Sequence, residues 1–222
     1  MTRDALDRYY TPRALAKAVV DKVVQQTGLT LEDNILEPSS GGGAFVDELI
    51  SRGYTVDTCD IDIGAKRGNG RHHEGDFLGL RGSKRFDLII GNPPFGDAQA
   101  HADHALNLLK PDGMLAFILP MQFWCSQERL RWWEHHNAGS VSAIIPRPDF
   151  TEEGGDMRDV ALFQWWAEDL RCKSGPSLGR LIWPKPPRAV VLADRAEMAG
   201  QLPLLGQGHT VAAQPSLFGG GL

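Results

Sequence analysis

A chain of 222 residues, 42% of them apolar, is long enough to bury one sizeable core and carry a small appendage, and its net charge of −5 excludes a surface coated in positive charge while leaving room for a local basic groove. No apolar stretch approaches the length that spans a bilayer, and Met1-Thr2-Arg3-Asp4 lacks the apolar core of a signal peptide, so no membrane association and a cytoplasmic location are expected. Cys59, Cys125 and Cys172 are odd in number and far apart, which argues against a disulfide framework or a zinc knuckle.

Leu15, Val19, Val20, Val23 and Val24 recur at helical spacing after Thr11-Pro12, a cap residue followed by proline at the first helical position, and predict a helix over 11–26. Asn34 to Pro38 reads as a short strand, Ser39 to Gly43 as a glycine-rich turn and Ala44 to Arg52 as a helix. Tyr54 to Cys59 is a second strand, ending at Asp60-Ile61-Asp62. A polar loop from Gly64 to Gly70 leads to a weak third strand before Gly75-Asp76-Phe77. Phe86 to Gly91 is a short apolar run typical of a buried parallel strand, and it delivers Asn92-Pro93-Pro94-Phe95. Ala98 to Leu109 follows as a helix closed by Lys110-Pro111-Asp112-Gly113, then a strand over 114–119 and a helix over 123–136. Val141 to Ile145 and Val160 to Trp166 are two closing strands around the polar loop 147–158. Strand and helix alternate, which predicts an α/β fold with a mainly parallel sheet.

From Leu170 the composition shifts towards Gly and Pro, and only Leu181-Ile182-Trp183 and Ala189 to Ala199 look ordered. The expected division is a core domain over 1–169 and an appendage over 170–222 with a flexible tail. There is no internal repeat.

Asn92 stands at a strand's carboxyl end, where open α/β sheets bind their ligands. Two consecutive prolines fix φ and remove two donors, so the turn is stiff and its carbonyls point outward. The Asn92 side-chain oxygen and the Pro93 carbonyl can accept both hydrogens of one planar amino group, and Phe95 offers a ring for stacking. That is a pocket for an aromatic amine. Three glycines directly after the first strand, Gly41 to Gly43, let backbone come close to a ligand. The turn has neither the six-residue dinucleotide fingerprint nor a Gly-Lys-Ser/Thr phosphate loop, and the preceding Glu37 suits a cationic or amine-bearing ligand. Asp60, about twenty residues on at the tip of the second strand, is placed to take ribose hydroxyls. Asp76 can accept from an adenine amino group and Phe77 can cover its ring. Together these describe S-adenosylmethionine, which is positively charged at sulfonium and ammonium and carries no phosphate.

With those residues assembled, the chain resembles the gamma-type N-6 adenine DNA methyltransferases, in the order Tyr10-Thr11-Pro12, Glu37 to Gly43 and Asn92 to Phe95, over about 9–166. The resemblance implies a Rossmann-like class I methyltransferase, an α/β fold with a mostly parallel, doubly wound seven-stranded sheet and an antiparallel closing strand. It implies that Tyr10, Thr11 and Pro12 line the methionine end of the cofactor, that Glu37, Pro38, Ser39, Gly41 and Gly43 hold its amino acid part, that Asp60 and Ile61 hold the ribose, and that Asp76 and Phe77 hold the adenine. Asn92 with Pro93 and Pro94 would hold the target amine, and Phe95 with Phe150 would stack on an adenine swung out of DNA. A long target-recognition domain like that of larger relatives is not expected in the fifty or so residues after the last core strand.

Other readings stay open at this stage: methylation of a ribosomal RNA base or of a protein glutamine, or an inactive module that binds cofactor and docks on DNA or on a sliding clamp. Lys66-Arg67 through Arg71-His73, and Arg129 and Arg131 beside Trp132-Trp133, are candidate basic patches. The pairs His72-His73, His101/His104 and His135-His136 lack an accompanying carboxylate or cysteine cluster at metal spacing, so no metal is expected and they read as surface histidines. Gln214-Pro215-Ser216-Leu217-Phe218 and Gln201-Leu202-Pro203-Leu204-Leu205 look like peptides that bind a bacterial sliding clamp. The oligomeric state is not legible.

Overall fold

The computed structural model describes residues 10–136, 138–150, 157–167 and 177–182, with Pro184. Helix α1 (Arg13–Thr27) leads into β1 (Ile35–Glu37), α2 (Ala44–Ser51), β2 (Val56–Asp60), β3 (His72–Glu74) and β4 (Phe86–Gly91). Then come α3 (Ala98–Leu108), β5 (Leu109–Pro120), the short helices α4 (Gln122–Cys125) and α5 (Leu130–His135), and strands β6 (Ser140–Ile145), β7 (Val160–Trp166) and β8 (Ser177–Ile182).

The strands form one sheet in the order β3-β2-β1-β4-β5-β7-β6-β8. β1 lies parallel to both β2 and β4, and β4 lies parallel to β5. β7 runs antiparallel to β5 and β6, and is the antiparallel closing strand that was expected. The sheet has eight strands where seven were expected. The additional one is β8, which pairs parallel with β6 from Ser140↔Ser177 to Ile145↔Ile182 and falls inside the stretch set apart on composition.

A parallel strand covered on both faces is apolar along most of its length, which is why β4, Asp87 apart, reads as a nearly continuous run. Leu88 and Ile90 face a core shared with Leu15, Val19 and Val23 of α1 and Leu49 of α2. Ile89 faces the opposite core, with Ala102 and Ala105 of α3, Phe117, Phe163 and Trp165. The sheet is therefore a rigid plate clamped between two dry layers, and its carboxyl edge inherits that rigidity.

Three local expectations are corrected. Pro12 is the N-cap of α1, not its first helical residue: its φ of −57° and ψ of 135° are extended, and its carbonyl accepts from the amides of Leu15 and Ala16. The turn expected at Lys110 to Gly113 is absorbed into β5 as an irregularity, so that Phe86↔Leu109 is followed by Leu88↔Met114. Gly113 sits so close to the Phe86 carbonyl that a Cβ would come within 2.7 Å of it.

The single helix expected over 123–136 is broken at Ser126, whose backbone is extended at ψ 124°, and a 3-10 turn, Gln127–Arg129, precedes α5. The cause is aromatic packing: Phe123 meets both Trp132 and Trp133 edge-on at 5.5 Å. Nine or ten residues of straight helix would separate those rings by ~14 Å along the axis, so the chain must fold back to join them. Trp133 in turn stacks on Trp165, which is fully buried, at 6.0 Å. Trp165→Ala is expected to lower the free energy of unfolding by about 3–5 kcal/mol, read from urea denaturation followed by circular dichroism.

Candidate active site

Strand order reverses direction at β1, whose successors lie on one side through β2 and on the other through β4, and the crevice outside the carboxyl ends opens there. A cavity of about 360 Å³ occupies it. That is within the size range of small-molecule sites. Four turns supply its walls: Pro38, Ser39, Gly41 and Gly42 after β1, Asp60 to Asp62 with Gly64 and Ala65 after β2, Asp76 to Leu78 after β3, and Asn92 to Pro94 with Gly96 and Asp97 after β4. Tyr10 and His101 complete it. A smaller cleft of about 30 Å³ adjoins it, between Tyr10-Thr11, Glu37, the glycine loop and Asn92.

The glycine loop is tied to β2 by hydrogen bonds. Asp60 accepts from the Gly41 amide at 2.7 Å and from the Asp62 amide at 2.8 Å. Its own carbonyl accepts from the Gly75 amide at 2.8 Å, and the Ser40 amide donates to the Cys59 carbonyl at 3.2 Å. Asp60 thus builds the wall on which it stands. Burial pushes the Cys59 thiol up to about 12, with Asp60, Asp76 and Glu37 adding repulsion, so this cysteine is a neutral core residue. Asp76 accepts from the Leu78 amide at 2.9 Å and caps the short 3-10 turn that begins at Phe77.

Glu37 ends β1 fully buried. Its Oε1 accepts from the Ser39 amide at 3.1 Å, and its carboxyl lies against the Cα of Gly91, where a Cβ would overlap it. Loss of water raises its pKa well above the ordinary carboxyl range; the Ser39 amide partly offsets this and Asp60 adds to it.

The electrostatics of the main cavity are one-sided. Asp60, Asp62, Asp76 and Asp97 line it, and among the described residues no lysine or arginine does. Burial lowers the pKa of His101, which is therefore neutral near pH 7. A polyanion in such a site would meet like charge without a partner, whereas a cationic ligand would find several. Small backbone turns, carboxylates and an aromatic face suit S-adenosylmethionine and do not suit a nucleotide triphosphate.

The sequence-derived residues divide cleanly. Tyr10, Pro38, Ser39, Gly41, Asp60, Ile61, Asp76, Phe77, Asn92, Pro93 and Pro94 all line the main cavity. Thr11, Glu37 and Gly43 line the smaller cleft. Pro12 and Phe95 line neither: Pro12 is committed to the start of α1, and Phe95 packs, partly buried, against the core. Phe150 is 1% exposed, packed in the core, and meets Phe95 edge-on at 6.2 Å. It buttresses Phe95 and presents no open face of its own.

Sequence reasoning missed Asp62, Asp97 and His101. His101 was read as a surface histidine, yet it is 6% exposed, its Nδ1 pairs with the Asp97 carbonyl at 3.1 Å, and its ring lies 5.5 Å from that of Phe77. A carbonyl can only accept, so Nδ1 carries the proton and Nε2 is left as an acceptor. The signal was present: Ala98, His101, Ala102, Ala105 and Leu108 form the buried stripe of α3 at helical spacing. His104 is half-buried with Nε2 on the Leu80 carbonyl, and His72 Nδ1 pairs with Thr58 Oγ1. Among the described residues no cluster of three His, Cys, Asp or Glu could hold a metal ion. No described helix is long and apolar enough to cross a membrane. The two clamp-like peptides and 189–199 lie outside the described residues.

No protein-family model matches the chain. In sequence it is similar to the type II methyltransferase M.HincII of Haemophilus influenzae, 32% identical over 96 residues, which are 41% of this chain and 17% of that protein. The chain thus spans about a sixth of the length of that relative. In structure it is similar to a putative class I S-adenosylmethionine-dependent methyltransferase from Listeria monocytogenes, with a TM-score of 0.60 at 14% identity, covering 89% of this chain and 73% of that one. It is also similar to the type I restriction-modification system methyltransferase subunit from Streptococcus thermophilus, with a TM-score of 0.58 at 16% identity, covering 72% of this chain and 45% of that one. The fold is that of the class I S-adenosylmethionine-dependent methyltransferases.

A carboxyl with a raised pKa binds a proton in the folded state at pH values where the unfolded chain has lost it. Stability from Glu37 is therefore fully present below the ordinary carboxyl range and is lost as pH rises towards the raised value. Glu37→Gln is expected to flatten the fall in stability across that interval, read from urea unfolding at successive pH values; a slope equal to that of the wild type would assign the titration elsewhere.

Proposed function

We propose that the chain is the catalytic core of an S-adenosylmethionine-dependent methyltransferase that acts on the exocyclic amino group of adenine in DNA. The observation that carries this reading is the junction of two features. A cavity lined by four aspartates ends at Asn92-Pro93-Pro94, and the same asparagine also borders the cleft beside Glu37. Donor and acceptor would meet at one residue.

In this assignment the glycine loop and Glu37 hold the amino acid part of the cofactor, Asp60 its ribose, and Asp76 with Phe77 its adenine. When bound, the cofactor supplies a methyl group on a positively charged sulfur, which leaves that sulfur as the new N–C bond forms. The residues of the chain do the rest by positioning. An adenine amino nitrogen shares its lone pair with the ring and is a poor nucleophile. Asn92 and the Pro93 carbonyl accept its two hydrogens and draw the nitrogen towards tetrahedral geometry. Alignment of this kind is worth up to ~7–11 kcal/mol in well-oriented systems. The surplus proton leaves to water after transfer, so no strong base is required.

A base in a duplex cannot reach the bottom of this crevice. Extrusion costs roughly a few kcal/mol, and stacking on one aromatic ring returns ~1–3 kcal/mol. Phe95 is half-buried and held edge-on by Phe150, so it offers a ring fixed in place before the base arrives.

The experiment is incubation with labelled S-adenosylmethionine and DNA, RNA and protein in parallel. Label is expected in DNA as N-6-methyladenine, and label in RNA or protein alone would overturn the substrate assignment. Asn92→Ala is expected to abolish transfer while retaining cofactor binding by calorimetry, and measurable turnover by that variant would refute the role given to Asn92.

A further inference from the structure

Asp47, in the first turn of α2, lines neither cavity, yet its carboxylate connects three of the walls around them. Oδ2 accepts from Arg13 Nη1 at 3.1 Å, and Oδ1 faces Lys66 Nζ at 3.0 Å. Arg13 opens α1 directly after Tyr10-Thr11-Pro12, and Tyr10 and Thr11 line the smaller cleft. Lys66 follows Ala65, the last residue of the wall that begins at Asp60. The Asp47 amide itself donates to the Gly43 carbonyl at 2.8 Å. The Lys66 amide donates to the Gly41 carbonyl at 2.8 Å, and its aliphatic stem lies across Gly43 so closely that a Cβ there would overlap it. Gly43 has φ +81°, a conformation that already favours glycine, so this close crossing is built into the backbone.

We propose that Asp47 is a positioning residue for the ligand of the main cavity: through Arg13 and Lys66 it fixes the distance between the Tyr10 segment, the glycine loop and the wall after β2. The proposal rests on the reading of that cavity as the S-adenosylmethionine site. The side chains of Arg13, Asp47 and Lys66 are 32%, 28% and 48% exposed. Ion pairs so placed add little to folding stability. Their effect is on the ligand, because walls that are already ordered need not be ordered by binding. The two pairs hold segments that are otherwise distant in sequence, 34 residues apart for Arg13 and Asp47.

The test is calorimetric titration of S-adenosylhomocysteine into the wild-type chain, Asp47→Asn, Lys66→Met, Lys66→Arg and the double variant Asp47→Asn/Lys66→Met. Lys17→Met serves as control, since it removes the exposed Lys17–Asp21 pair elsewhere on α1. Asp47→Asn is expected to raise the dissociation constant about tenfold, with a melting temperature close to that of the wild type. Lys66→Met is expected to weaken binding and Lys66→Arg to restore it. The double variant should bind no more weakly than Asp47→Asn alone, since both act through one contact. Added salt should weaken wild-type binding more than that of Asp47→Asn. Wild-type affinity in Asp47→Asn, or additive losses in the double variant, would overturn the clamp. If Asp47→Asn unfolds, the contrast between Lys66→Met and Lys66→Arg decides, and equal binding by those two overturns it. A wild-type chain that does not bind S-adenosylhomocysteine defeats the reading of the cavity itself, and the clamp falls with it.

Discussion

The contact between the buried Glu37 carboxyl and the bare Cα of Gly91 fixes the geometry at the carboxyl edge of the sheet. Glu37 is the last residue of β1 and Gly91 the last of β4, and these two neighbouring strands carry the glycine loop and the Asn-Pro-Pro turn. Any side chain at position 91 would need the space the carboxyl occupies. The two turns are therefore set at one separation by a steric fit deep in the fold, below the cavity they line. Burial also raises the pKa of Glu37, so the negative character of the site comes from the four aspartates that line the main cavity.

The rest of the molecule keeps that edge still. β4 is enclosed on both faces, by α1 and α2 on one side and by α3 on the other. Close-packed interiors transmit displacement instead of absorbing it, so the position of Asn92 is tied to that of the core. Hydrogen bonds then lock the loops to one another across the edge, Gly41 to Asp60 and Asp60 to Gly75. The aromatic group of Phe123, Trp132, Trp133 and Trp165 secures the far half of the sheet through β7, leaving the crevice at β1 and β4 as the place where the surface opens.

Much of this was legible in the sequence, for a physical reason. Buried parallel strands are mostly apolar, and ligand-binding turns are polar or glycine-rich, so the boundaries at Glu37 and Asn92 are marked by a chemical change, less sharply at Asp60 because β2 itself carries Asp57 and Thr58. What the sequence concealed depends on contacts between distant residues. The break at Ser126 follows from Phe123 seeking two tryptophans, and no local propensity records that. Phe150 matches a family position by type, but its ring is taken by the core and by Phe95. β8 is short, mostly exposed and set among Gly and Pro, so its pairing with β6 has no strong period to announce it. His101 was hidden by habit: histidine is commonly a surface residue, whereas its place on the apolar stripe of α3 put it inside.

In the proposed reading, the cavity at the β1/β4 switch selects a positively charged, phosphate-free adenosine compound. Equilibrium competition between S-adenosylmethionine and ATP for the unmodified chain tests it most directly. Saturable binding of S-adenosylmethionine with a single site per chain, undiminished by excess ATP, is the expected result. Binding of ATP at the same site with equal or greater affinity would contradict the account.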